Sequence, residues 1–343
     1  MRRSRLGLVA AIVLIALLAV YTAGWWIIAG RIKDAVAEWT EEARSPLLAV
    51  FWQSIGVDGF PLAFRLELSG LRVKQRGPDP TPELRAPALS IAVRPWNLHE
   101  FAVAAPGGLD AWVGPEALPL AKLAARTMTG TVAFAEDGSP TIRADLGEAR
   151  VETAMVPDLR IAAESVALWV VAPARMPQRQ GDRNLAAAAE LHRVALPAAP
   201  APFGNTIDVL ALGVTVTGPI PAGPPREAAT AWRDAGGTVE LDRFQLGWGP
   251  LAIAASGTLA LDHDLQPAGR LTGSVAGYGE LLAALVSVGV MKSRDAGFAR
   301  MALGMLAKPG PDGRPRIAAP IMIQNGEIYL GPAKLGRAPR ISW

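Results

Sequence analysis

Three histidines, His99, His192 and His263, are the side chains best suited to move a proton near neutral pH or to bind a metal. None has another histidine at helical or strand spacing. Asp262-His263-Asp264 is the one local cluster. It follows an alternating apolar run and precedes Pro267, which reads as a solvated turn and not a metal site. Carboxylates are spread along the chain, and no pair is marked by spacing for general acid–base work. There is no G-x-S-x-G elbow, no Walker loop and no H-E-x-x-H. Gly277 and Gly279 precede a helical stretch, but Leu282 stands where a dinucleotide loop needs its third glycine. The absence of cysteine excludes thiol nucleophiles, thiolate zinc sites, iron–sulfur clusters, disulfides and lipoprotein attachment. No catalytic, cofactor-binding or metal residue is therefore assigned, and a non-enzymatic chain is expected. A hydrolase would need one of the histidines brought to a serine and a carboxylate by folding.

The chemistry that remains belongs to apolar surfaces, beginning at the N-terminus. Leu6 to Ala29 contains no charge and would reach about 36 Å as a helix, enough for a hydrocarbon core of about 30 Å. Arg2, Arg3 and Arg5 precede it, and charges of mixed sign follow from Arg31 to Arg44. The positive-inside rule then expects a single-pass anchor in a bacterial inner membrane, with a cytoplasmic N-terminus and a periplasmic body. Tyr21, Trp25 and Trp26 are the expected membrane-interface residues. A cleaved signal peptide is the competing reading, but the run is long for one and Thr22-Ala23-Gly24 is a poor cleavage site. Residues 31–50 keep a helical period through Ile32, Val36, Trp39 and Ala43, predicting a juxtamembrane helix that lifts the body off the bilayer.

Beyond Gly56 the period drops to two. Phe64, Leu66 and Leu68 alternate with Arg65, Glu67 and Ser69. The phase slips at Gly70, which predicts a bulge or bend in a continuing strand. Further alternating runs lie near 89–93, 142–146, 166–171, 208–216, 239–246, 251–261 and 316–324. Four of the turns open on a glycine and a hydroxyl residue, as in Gly236-Gly237-Thr238-Val239 and Ser256-Gly257-Thr258-Leu259, the pattern of successive hairpins. Asn325-Gly326 predicts a two-residue hairpin turn. Helices are expected near 224–234 and over 278–307. The fold class is thus mainly β with an N-terminal transmembrane helix: 1–30 as cap and anchor, 31–50 as the juxtamembrane helix, and 51–343 as a β-rich periplasmic domain. In that domain an extended, curved antiparallel sheet carries a few packed helices, an α+β arrangement.

The net charge of +3 equals the three N-terminal arginines, so no basic face for nucleic acid is indicated. The 278–307 helices are unusually apolar. Leu281, Leu282, Leu285, Val286, Phe298 and Met301 are the candidate lining of an apolar groove or its gate. The expected partners are the inner membrane, lipid and other envelope proteins, with no cofactor. Two functions are carried forward: acyl-chain or lipid binding in a sheet groove, and an envelope scaffold that binds another protein.

Five stretches carry a resemblance: Gly24-Trp25-Trp26, Gly59-Phe60-Pro61, Arg94-Pro95-Trp96, Leu246-Gly247-Trp248-Gly249-Pro250-Leu251 and Asn325-Gly326-Glu327-Ile328-Tyr329-Leu330-Gly331-Pro332. In this order they resemble the DUF2125 family of bacterial envelope proteins. That family has no assigned activity, so the resemblance implies no catalytic residues. In architecture the anchor and glycine-led strands are also similar to AsmA-like proteins with lipid-handling sheets.

Overall fold

The computed structural model describes residues 19–36, 48–77, 80–153, 160–196, 202–221, 223–289, 291–310, 313–330, 333–338 and 340–341. The chain divides into two compact units, Met1–Val132 with Thr153–Pro157, and Ala133–Glu152 with Asp158–Trp343.

The first unit begins with helix α1, residues 19–36. Strands β1 (Leu48–Phe51), β2 (Ser54–Asp58), β3 (Phe64–Gln75), β4 (Pro82–Arg94), β5 (Asn97–Ala105), β6 (Leu109–Val113), β7 (Ala121–Ala125) and β8 (Thr127–Phe134) follow. The long strands β3 and β4 pair along their length, Phe64 opposite Val93 and Lys74 opposite Glu83. Each changes its other neighbour midway: β3 from β2 to β1, and β4 from β6 to β5. The phase slip at Gly70 marks that change. Its φ of +61° suits glycine, and a Cβ there would press on Gln53 at 2.6 Å. Leu68 and Leu71 on either side are consequently both buried.

The second unit is an antiparallel meander of β9 (Pro140–Thr153), β10 (Arg160–Val171), β11 (Arg183–Ala195) and β12 (Thr206–Thr217). After helix α2 (Pro225–Asp234) it continues through β13 (Val239–Trp248), β14 (Leu251–Leu261) and β15 (Pro267–Ala276). Helices α3 (Tyr278–Ser287) and α4 (Ser293–Leu306) interrupt it. The short β16 (Lys308–Pro309) and then β17 (Pro315–Gln324), β18 (Glu327–Leu330) and β19 (Ala333–Arg337) complete it. Strand β17 pairs with β15, so the helical pair is an excursion from an uninterrupted sheet. Asn325 and Gly326 both have positive φ, 55° and 70°, as a type I′ hairpin requires.

The helix expected over 31–50 is found at its start and not at its end. It persists to residue 36, residues 37–47 lie outside the described residues, and Leu48–Phe51 is β1, paired with β3. Pairing overrides the local period there. Most of the expected span, residues 6–18, also lies outside the described residues. Among the described residues no helix is long and apolar enough to cross a membrane.

Candidate functional site

Residues directly opposite one another across an antiparallel sheet share a face. Applied to the second unit, the register assembles three rungs, each crossing the eight strands β9 to β15 and β17. The first is Ile142, Val170, Ala187, Val214, Leu241, Gly257, Leu271 and Ile321. Ala144, Leu168, Ala189, Leu212, Phe244, Ala255, Gly273 and Ala319 form the second, and Leu146, Val166, Leu191, Leu210, Leu246, Ile253, Val275 and Ile317 the third. All three are wholly apolar. At about 4.8 Å per strand they make an apolar surface about 34 Å wide.

Helix α3 covers one end of this face. Leu281 and the buried Ala284 pack with Phe203, Leu251, Leu246, Ile253 and Val275. Trp248 closes the same corner, donating from Nε1 to the Gly204 carbonyl at 2.8 Å, with its ring 5.0 Å from that of Phe203. Away from α3 most of the rung side chains are half-buried. Ile142, Leu168 and Leu212 are 43, 37 and 44 % exposed, and of the rung side chains only Leu146 and Ile317 are buried. A sheet normally buries its apolar face under a second layer. Here three large apolar side chains, on β9, β10 and β12, stay exposed on that face.

The opposite face is polar. Arg243 donates to Glu190, and His192 Nε2 lies 3.0 Å from the same carboxylate. The Arg243 guanidinium holds the Glu190 carboxyl below its ordinary pKa, with His192 a lesser contributor. A groove of about 500 Å3 opens there, with Trp169, Arg143 and Arg243 around Ala188 and Gly213.

The six residues expected to line a groove separate into two groups. Leu282 is buried, and Leu281, Leu285 and Val286 are half-buried. Phe298 and Met301, on α4, are 62 and 68 % exposed, and α4 buries no residue of its own. The expected interface residues also separate. Trp25 is 2 % exposed, taken into the first unit's core with Ala29 and Phe64, whereas Trp26 is 62 % exposed and Tyr21 42 %.

His99 lies on β5 of the first unit, and in the second His192 lies on β11 and His263 in the turn after β14. Asp262 Oδ1 accepts from the Asp264 and Gln266 amides at 2.9 and 2.8 Å, which makes the His263 segment a capped turn. A pocket of about 510 Å3 beside it is lined by Arg226, Arg233 and Arg340. Among the described residues no group of three candidate ligands could hold a metal ion. What sequence reasoning missed was β11. Its Ala186–Ala189 run has helix-forming composition, yet it supplies the middle of the apolar face; the alternation of its neighbours was the available signal.

No curated protein and no solved structure gives a significant match to this chain. Residues 25–339 match the family described as an uncharacterized protein conserved in bacteria, and the chain therefore belongs to the DUF2125 family.

Proposed function

We propose that this chain is a membrane-anchored, non-enzymatic protein of the bacterial envelope that holds lipid acyl chains against the apolar face of its second unit. One observation carries the reading: three apolar rungs cross eight strands, and on them Ile142, Leu168 and Leu212 are 43, 37 and 44 % exposed. Leaving so large an apolar surface in water is unfavourable by about 25 cal/mol per Å2 of apolar area, and a bound acyl chain removes that cost. The rungs carry no charge and few aromatic rings, which suits methylene chains better than sugars or bases. The 6–29 run supplies the anchor, and the body faces the periplasm by the positive-inside rule.

The test is site-specific photo-crosslinking in growing bacteria whose phospholipids carry radioactive phosphate. A benzophenone side chain at Leu168 or Leu212 is expected to capture labelled lipid. The same group at Arg143 or Asp145, on the opposite face, is expected to capture none. Protein adducts at Leu212 without lipid would favour the scaffold reading. Equal lipid capture from both faces would overturn acyl binding at the rungs.

A further inference from the structure

The apolar run and the first unit compete for the same residues. Tyr21 donates its hydroxyl to the Pro61 carbonyl, and Trp25 Nε1 donates to the Ala63 carbonyl at 3.2 Å. The Trp25 ring lies edge-on to Phe60 at 5.4 Å and stacks on Phe64. Residues 21–29 are therefore held alongside the sheet. The run that precedes them, Leu6 to Val20, would reach about 22 Å as a helix against a hydrocarbon core of about 30 Å. A span that uses residues 21–26 to make up the difference draws the loop that grips them down to the same depth.

That loop is built for such a position. Gly59 to Ala63 contains no charge, and Phe60 and Leu62 are 45 and 65 % exposed. The register places the turn after β4 at the same end of the sheet, since Phe64 opposes Val93. Trp96 on that turn is 65 % exposed, and on α1 Trp26 and Ile27 are 62 and 60 % exposed. We infer that this end of the first unit docks directly on the bilayer, with Phe60, Leu62 and Trp96 in the headgroup–acyl boundary beside Trp26. Arg94, exposed next to Trp96, is placed for lipid phosphates. The inference rests on the membrane anchorage proposed above. It replaces a body lifted off the membrane with one seated on it.

The chain lacks cysteine, so single labels report single positions. The full chain is reconstituted in vesicles of phosphatidylethanolamine and phosphatidylglycerol at 3:1. An environment-sensitive fluorophore is attached to Leu14→Cys, Leu62→Cys, Trp96→Cys or Lys74→Cys, the last being ten residues along β3 from Phe64. Lipids spin-labelled high on the acyl chain are expected to quench Leu62→Cys and Trp96→Cys several-fold more than Lys74→Cys. Lipids labelled deep on the chain are expected to quench Leu14→Cys. If Leu14→Cys is quenched while Leu62→Cys and Trp96→Cys are as quiet as Lys74→Cys, the docking surface is wrong and the anchor stands. If Leu14→Cys is not quenched, the anchor fails and the docking surface with it. Quenching of all four labels alike by the shallow probe also overturns the docking surface, since it reports general adhesion.

Discussion

The indole of Trp25 lies nearly flat on the phenyl ring of Phe64, centroids 5.2 Å apart and planes 14° from parallel. A residue that the sequence assigns to a membrane segment is thus part of a protein core, together with Ala29, Ile32, Val57 and Val93. Its neighbour Trp26 points away, one residue later on the helix. Trp25→Ala is expected to destabilise the first unit by about 3–5 kcal/mol, from lost burial, the cavity left behind and the lost bond to the Ala63 carbonyl. Trp26→Ala is expected to stay within about 0.5 kcal/mol. Urea unfolding of the full chain in detergent, followed by circular dichroism, separates the two; equal losses would show that the helix is not docked on β3.

The α3–α4 pair offers a similar division. Leu282 is 7 % exposed, so Leu282→Ala is expected to cost about 2–5 kcal/mol in the second unit. Phe298 and Met301 lie open on α4, and their alanine variants are expected to leave stability within about 0.5 kcal/mol. Thermal unfolding of the three variants measures this. A large loss at Phe298 would mean that a covering partner, present in the measured protein, rests on α4.

The polar face supplies a pH dependence. Arg243 lowers the folded-state pKa of Glu190, so the pair stabilises the sheet where Glu190 is ionised in both states. That contribution is lost as pH falls through the depressed folded value. The carboxylate is 38 % exposed, so the effect is small and screened by salt. Glu190→Gln is expected to melt slightly below the parent at pH 7, and the gap is expected to close as pH falls below about 4. A gap that is unchanged between pH 7 and pH 3 would assign the difference to packing.

Gly237 touches the ring of Trp232, where an added Cβ would stand 2.2 Å from Nε1 and Cε2. Trp232 in turn donates to the Thr217 carbonyl at 2.7 Å, tying α2 to the end of β12. Gly237→Ala is expected to displace the indole and cost about 1–3 kcal/mol. Urea unfolding of the variant unchanged from the parent would show that the ring can move without loss.

Alternation made the strands legible: Phe64–Leu68 and Ile142–Leu146 each carry the period-two pattern that a half-buried strand needs, Val239–Leu246 carries it on either side of a register shift after Leu241, and each is found in place. The turn chemistry was equally local, as Asn325-Gly326 and the bend at Gly70 show, because positive φ excludes most residues. The helices near 224–234 and 278–307 were readable from composition and from the prolines beside them. The alanine run in β11 was not, because alanine favours a helix in isolation and only pairing with β10 and β12 holds it extended.

The site divides along the same line. Which residues are apolar is written in the chain. That twenty-four of them align into three uninterrupted rungs depends on the register of seven strand pairs, and no single segment encodes that register. Hydropathy likewise placed Tyr21, Trp25 and Trp26 together at the end of an apolar run. It carried no means of separating them, because a ring buried against Phe64 and a ring facing outward have the same transfer free energy until the helix meets its sheet. Local sequence therefore settled the period, the turns and the charge, while long-range pairing settled which apolar groups are spent in a core and which stay exposed.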